Sequence, residues 1–533
     1  MTRFRKNFRK TKDDVAMNSD NLRMLVGFAI IMIILILWQL LLPGRTRTTP
    51  PPTPAPVESL AVHPQAPVLT TTPEPEHQYP ETSFTLSNRF LEVTISSRNA
   101  ALNSCYLKNY RVQLIPEGQT ILGIQELAQS PLSGYQATDT SITLQYHTTP
   151  GRLTLTWIIG DDYTLQLLLD AESAFNRLTF DARGGIATTE ANLKEDLANF
   201  HFYARASGRV HQIAASNLRR KPFGAAADWA GLKSKYFFAA LVNQTGVDSC
   251  QAEALPDGRV GMQITHTVSK NPARYLIYLG PIEYNRLRQF GLGFENVVSL
   301  GWLKPVALAI LFVLRLFYQL VHNWGGAIVI FSLVMKLIFY PLTRTQTRQM
   351  RQLQLLQPKL EELKKKYKDD PQQLNQETMR LYQLYRVNPL SGCLPLLIQM
   401  PVFFALYAVL RNFIELRGAG FILWLKDLSQ PDTLFGHIPA GVPLIGGFAL
   451  GLLPILMGVS FIAQNLLTAT DKKNWALTVI FPIFITAIFL NLSSGLQLYW
   501  FIYNILSIGE SLIATKGGSL WQKFRKAPKP GVS

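Results

Sequence analysis

The stretch GGAIVIFSLVMKLIFYPL, Gly325 to Leu342, is an apolar run broken by a single charge, Lys336. At about 1.5 Å of rise per residue it crosses most of the ~30 Å hydrocarbon core of a bilayer, and it reads as a spanning helix. Lys336 stands eleven positions beyond the start of that run. That is about 16 Å into it, inside the hydrocarbon layer. A lipid-facing ammonium there costs on the order of several kcal/mol, so Lys336 is expected to face a hydrated cavity, ahead of snorkelling or pairing with a carboxylate. Glu510, near the inner end of the last apolar segment, is the only acid that the predicted spans offer it.

Working outward, four more segments of similar length follow: Leu394 to Ile414, Val442 to Ala463, Trp475 to Leu492 and Leu496 to Ala514. Far upstream, Met24 to Leu42 carries no charge and is preceded by Arg3, Arg5, Lys6, Arg9, Lys10, Lys12 and Arg23. It ends Trp38-Gln39-Leu40-Leu41-Leu42-Pro43 without the small residues of a cleavage site, so it reads as an uncleaved anchor rather than a signal peptide. Six transmembrane helices are therefore expected. The 48% apolar composition of the 533 residues agrees with a polytopic α-helical membrane protein.

From Pro43 to Pro80 eleven prolines stand among Thr, Ala and Val, a composition that cannot bury a core and reads as a tether. Residues 81–291 then alternate in the short runs of strands, as in Phe90-Leu91-Glu92-Val93-Thr94-Ile95 and Leu153-Thr154-Leu155-Thr156-Trp157-Ile158-Ile159. A large β-sandwich is predicted, with no catalytic motif in it.

The net charge of +17 is compatible with a nucleic-acid partner, but its placement favours a membrane protein. Ten Lys or Arg lie between Arg344 and Arg386 against five acids, whereas the loop from Glu415 to Ala440 holds only Arg417 and Lys426. The positive-inside bias puts residues 1–23, the insert 343–393, the Asp471-Lys472-Lys473 turn and the basic tail 515–533 in the cytoplasm, and the β-domain outside. Leu303 to Val321 is apolar but contains Lys304, Pro305 and Arg315. Counting it as a span would invert everything downstream, so it reads as an interfacial helix on the outer leaflet.

Within the insert, Leu353, Leu356, Leu360, Leu363 and Tyr367 line one helical face, with Pro358 as a kink or restart. Asp370-Pro371 is a helix start, and Leu374, Leu381, Tyr382 and Tyr385 supply an answering face, so a helical hairpin is predicted. Lys364, Lys365, Lys366 and Lys368 cluster at its tip, either as a solvated turn or as a contact for ribosomal RNA, anionic headgroups or a targeting factor. Of the polar groups on the spans, Gln399 is the best cavity candidate, at a depth comparable with Lys336. Gln464, Asn465, Asn491, Gln497 and Asn504 read as interhelical hydrogen-bonding groups. Pro401, Pro454 and Pro482 predict bent helices. Cys105, Cys250 and Cys393 lack metal-site spacing; Cys105 and Cys250 form either one disulfide or two buried thiols.

The run Asn388-Pro389-Leu390-Ser391-Gly392-Cys393-Leu394-Pro395-Leu396-Leu397-Ile398-Gln399-Met400-Pro401 closely resembles the start of the third span in the YidC-type membrane protein insertases. Tyr340-Pro341-Leu342-Thr343, Leu356-Gln357-Pro358-Lys359 and Ser494-Gly495-Leu496 look like further signatures of that family, and the β-domain behind an anchor looks like its long Gram-negative form. The resemblance implies a chaperone-like insertase of the bacterial inner membrane, not an enzyme and without cofactor or metal. Its hydrophilic groove, open to cytoplasm and lipid, receives nascent membrane proteins while their apolar helices pass into the bilayer. The implied groove residues are Lys336, Gln399 and Trp500; the ribosome and the Sec translocon are candidate partners, and DNA is not. Lys336 stands where the family usually has arginine, which keeps the charge but loses the planar fork. Leu492-Ser493 departs from the Phe-Pro that often precedes Ser-Gly-Leu.

The rival readings are a small-solute transporter that uses the intramembrane lysine and an anchored extracytoplasmic binding module. The first lacks repeated halves, and the second leaves Lys336 and the basic hairpin unexplained.

Overall fold

The computed structural model describes residues 81–524 apart from 149–150, 173–174, 220–222, 269–271, 386, 388–393, 440, 443–445 and 469–475. The predicted anchor 24–42, the linker 43–80, the Asp471-Lys472-Lys473 turn and the end of the basic tail lie outside the described residues.

Strict alternation builds the first half. Along Arg152–Ile159 and Thr164–Ala171 every second side chain is buried, and the two pair antiparallel with Trp157 opposite Leu167. One sheet has four strands, Ser83–Ser87, Leu91–Ser96, Leu102–Leu107 and Val112–Gln113; the other has twelve and runs from Arg209–Ala214 to Leu132–Ala137. Phe237–Ala254 is long enough to serve two partners on one side, Ala273–Pro281 first and Val260–Val268 after. The register shifts between Ala225 and Trp229 in the strand opposite accommodate that bend. Leu86, Val93 and Ile95 of the small sheet share one core with Tyr146, Leu155 and Trp157 of the large one.

Both cysteines of this domain are free and buried, so the two-thiol alternative holds. Cys250 donates to the Ala225 carbonyl at 3.2 Å, and burial pushes its thiol up to about 11.

The second half is helical: α1 (Lys304–Val321), α2 (Trp324–Lys366), α3 (Pro371–Leu384), α4 (Leu394–Asn412), α5 (Leu452–Thr468), α6 (Phe481–Phe489) and α7 (Ser494–Phe524). Asn323 opens α2 by accepting from the Gly326 amide, and Asp370 opens α3 by accepting from the Gln372 and Gln373 amides, with Pro371 in the first turn. α2 passes unbroken through Pro341 and Pro358, so the kink or restart expected at Pro358 does not end it. The stripe stays in phase beyond that proline: Leu353, Leu356 and Leu360 are buried, the first two against Val387, Met350 and Tyr382.

Two predicted segments change. α5 begins ten residues after Val442, because Gly436 and Gly447 hold positive φ and a bridge between His437 and Ala449 folds that stretch back. The Asp432 carboxylate then accepts the Leu453 amide at the start of the helix. The fifth segment divides into a π-helical turn, Ala476–Ile480, and the short α6. Pro482 sits in the first turn of α6, where its missing N–H costs least.

Among the described residues, only α1 and α2 are long and apolar enough to cross a membrane by length and composition. That measure does not confirm six spanning helices: α5 and α6 are short, α7 carries Gln497, Asn504, Ser507 and Glu510, and the predicted anchor lies outside the described residues.

The helix ends locate the β-domain. Asn412, closing α4, donates to the Ser299 carbonyl at 2.9 Å; Arg417 reaches Glu190 at 2.8 Å, and Gln430 reaches the same carboxylate at 3.0 Å. The Ser494 amide, opening α7, bonds the Gln430 carbonyl. Gly325, opening α2, has no Cβ to collide with the Phe421 ring of the same loop. The start of α2, the end of α4 and the start of α7 thus meet the β-domain side, and the α2–α3 hairpin lies at the other end of α2.

Candidate functional site

On α7, Tyr499, Tyr503, Ser507 and Glu510 are spaced by four, four and three residues, so they stand on one face. That face meets α2 and α4. Lys336 lies 2.8 Å from Glu510 Oε2, donates to Ser507 Oγ at 2.8 Å, and sits 4.9 Å from the centre of the Tyr503 ring. Thr343 donates to the other Glu510 oxygen at 2.9 Å. The lysine is 7% exposed, so an ammonium sits inside an apolar bundle with a carboxylate, a hydroxyl and a π face around it. The pairing that the sequence left behind a hydrated cavity is the arrangement present here.

One turn and more away on the same stripe, Gln399 of α4 donates to the Tyr499 hydroxyl at 2.6 Å. Trp500 follows Tyr499 by one residue and so turns to another face. It packs its ring on Phe403 at 5.4 Å and Phe489 at 5.2 Å, and its buried indole N–H has no hydrogen-bond partner among the described residues. Lys336 and Gln399 therefore share the polar stripe of α7, and Trp500 does not. On neighbouring positions Asn504 donates to Ser460 of α5 at 3.3 Å, while Gln497 bonds the Phe489 and Leu492 carbonyls that α6 leaves open. Gly458 lets α5 approach α6 closely, since a Cβ there would lie 2.7 Å from the Thr486 hydroxyl.

The reading from sequence missed Tyr499, Tyr503, Ser507 and Thr343. The first three carried a signal, polar groups every fourth residue in a span. At the far end of α2, Lys364, Lys365, Lys366 and Lys368 are all exposed, with Lys366 5.1 Å from the centre of the Tyr367 ring. Among the described residues no cluster of His, Cys, Asp and Glu could hold a metal ion.

The family profile described as the YidC periplasmic domain matches residues 83–313, and that of the 60Kd inner membrane protein matches 316–519. The membrane protein insertase YidC of Syntrophus aciditrophicus is 32% identical over 88% of this chain and 95% of its own length. This chain belongs to the YidC family of membrane protein insertases. The Pelobacter propionicus YidC is also 32% identical, over 79% of this chain and 84% of its own. Among solved structures, an active YidC insertase with its first transmembrane domain resolved aligns at 20% identity over 81% of this chain and 93% of its own, with a TM-score of 0.39. The two profiles meet within α1, so the family comprises a β-rich periplasmic domain and a membrane insertase domain, joined there in this chain. Its relatives are named as insertases and not as enzymes.

Proposed function

We propose that this chain inserts proteins into a bacterial inner membrane. Six spans cross the bilayer: the anchor 24–42 and helices α2, α4, α5, α6 with its preceding π-turn, and α7. Both termini and the α2–α3 hairpin are cytoplasmic. α1 lies along the outer surface. That placement is supported by Arg315, which meets Glu415 just past the end of α4, and by Tyr318, which stacks at 4.0 Å on Trp324 at the start of α2. An α1 running across these helix ends meets both residues.

The observation that carries the proposal is the buried Lys336–Glu510–Ser507 cluster on a polar stripe between α2, α4 and α7. Such a stripe serves as a groove that shortens the apolar path a substrate's polar flank must cross. At rest Glu510 neutralises Lys336. An entering substrate carboxylate competes with Glu510 for the ammonium, and the displaced Glu510 keeps the Thr343 hydroxyl as a donor. Gln399 and Tyr499 continue the polar path, while Trp500 with Phe403 and Phe489 forms the apolar wall that a substrate helix passes. The exposed hairpin lysines supply the contact for a ribosome or for anionic headgroups.

The test is reconstitution of the full chain in liposomes with a small single-span protein as substrate, comparing wild type, Lys336→Ala and empty vesicles. Insertion above the empty control that falls in Lys336→Ala supports both the activity and the lysine's part in it. A folded wild type that inserts nothing sinks the proposal and favours a small-solute transporter.

A further inference from the structure

We propose that the cavity between the β-domain and the outer ends of α4 and α7 is an oxyanion site, which takes a carboxylate on the segment that a substrate sends across the membrane. The inference rests on the insertase reading. The cavity encloses about 200 Å³ and is lined by Asn192, Glu195, Lys235, Arg411, Asn491 and Ser493 among others. A water molecule's share of liquid volume is about 30 Å³, so a carboxylate and a few waters fit.

Its charges do not balance. Lys235, 3% exposed, lies 3.1 Å from Glu195 Oε1, and Arg411 lies 3.6 Å from the same oxygen, so two cations share one carboxylate oxygen. Arg411 also donates to the Tyr407 hydroxyl at 3.0 Å, which holds the guanidinium at the cavity wall. Behind them Lys233 is 2% exposed. Its backbone pairs with His201 and Phe238, and no hydrogen bond or ion pair of its ammonium is present among the described residues. The nearby acid, Asp196, accepts the Thr189 and Glu190 amides at Oδ2 and makes no ion pair with Lys233, although its charge favours the ammonium. Burial first, and then the Arg411 charge, push Lys233 down to about 8, while the Asp196 charge acts in the opposite direction.

The remaining lining adds donors, the amides of Asn192 and Asn491 and the hydroxyl of Ser493. A carboxylate entering on the open side of Arg411 gives the surplus cations a partner of their own, through charge-assisted hydrogen bonds that suit oxyanions. Position selects the donor of that carboxylate. Arg411 follows Gln399 by twelve residues on α4, about 18 Å along the helix. A chain that leaves the groove along α4 presents its leading segment here, and a positive cavity draws acidic segments to it.

The experiment uses proteoliposomes and two single-span substrates identical except that the segment sent outward is acidic in one and neutral in the other. Wild type is expected to insert the acidic one in preference. Arg411→Gln is expected to lower that acidic-over-neutral ratio on the order of five-fold, the scale of one charge-assisted contact, and Arg411→Lys to keep most of it. Asn491→Asp, which preserves the acceptor for the Ala449 amide while adding a carboxylate to the cavity, is expected to lower the ratio too and guards against a folding defect in Arg411→Gln. Wild-type insertion with an unchanged ratio in Arg411→Gln and Asn491→Asp overturns the site. A loss common to both substrates that appears only in vesicles containing phosphatidylglycerol assigns the cavity to a lipid phosphate and overturns the carboxylate. No insertion of either substrate by wild type overturns the insertase reading instead.

Discussion

The two halves of the chain bury opposite things. In the β-domain the large, fully buried side chains include Trp157, Trp229, Tyr146, Tyr163, Tyr203 and Phe180, while its charges lie mostly at the rim and the helix-facing end. In the helical half Phe312, Leu320, Leu337, Ile338, Ile483, Phe484 and Ile505 are exposed, while Ser332, Lys336, Gln497, Asn504 and Ser507 are buried. A surface that rejects water and an interior that holds polar groups suit a molecule whose helical half is solvated by lipid and whose centre is kept polar for a purpose. The β-domain follows the opposite rule because water surrounds it.

The contrast breaks most sharply by truncation. Trp157→Ala is expected to destabilise the β-domain by about 3–5 kcal/mol, the cost of a large cavity in a packed core. Leu337→Ala, at 64% exposure, is expected to change the stability of the detergent-solubilised chain by less than ~0.5 kcal/mol. Thermal unfolding of the full chain, followed by circular dichroism in the β and α bands, measures both. Comparable losses would mean that the helical half is packed like the β-domain and that its apolar surface is not lipid-facing.

The Lys336–Glu510 pair tests the interior of the helical half. Removing one partner of a buried ion pair strands the other, so Glu510→Gln or Lys336→Met is expected to cost on the order of 3 kcal/mol in detergent. The double variant is expected to recover most of it. A double-mutant cycle on unfolding checks this, and additive losses would show that the two charges act independently. Retained stability with lost insertion in the double variant would then separate the groove's activity from its folding.

Much of this was legible in the sequence, and the losses have particular causes. Alternation exposed the strands, because a sheet with one buried face writes a period of two, and the Asp370-Pro371 start was read correctly from capping chemistry. The span beginning at Val442 was misplaced because hydropathy counts Val442, Leu444 and Ile445 as membrane residues and is blind to the turns that Gly436 and Gly447 permit. Of the site, Lys336 and Gln399 stood out as polar residues in apolar runs. Tyr503 and Ser507 did not, since Tyr and Ser are ordinary in spans and only their shared face with Glu510 gives them meaning. Trp500 came from resemblance alone, and a one-residue step from Tyr499 sends it to a different wall.

The seam between the halves is predicted to be held by Glu190. Its side chain is 4% exposed and accepts from Arg417, Gln430 and Thr189; burial raises its pKa, and the Arg417 charge opposes that rise. Glu190→Ala is expected to cost about 1–3 kcal/mol by leaving Arg417 without its carboxylate. The readout is faster hydrogen exchange at residues 415–432, with the strands far from the seam unchanged. Exchange that speeds up throughout the β-domain would instead make Glu190 a residue of that domain's own stability.

The smallest expected effect is the most specific, because it concerns a charge that the β-domain buries against its own rule. Folded Lys233 titrates at about 8, against 10.5 for an ordinary lysine, because burial and then Arg411 disfavour its charged form. Between those values the unfolded chain holds more protons than the folded one, so this group's contribution to stability grows as pH rises from about 8 to about 10.5. Below pH 8 the folded chain carries the full penalty of a charged, buried lysine. Lys233→Met removes the charge and keeps the stem, and it is expected to raise the Tm of the β-domain by roughly 2–4 °C at pH 7, with the gain shrinking towards pH 10.5. His201, opposite Lys233 in the sheet, is held down at about 4 by burial and then by the same lysine, so the comparison avoids pH below 6.5, where His201 adds its own slope. A gain independent of pH would locate the benefit in packing. A loss at pH 7 would mean that Lys233 already has a partner, and the surplus of positive charge at the seam would have to be recounted.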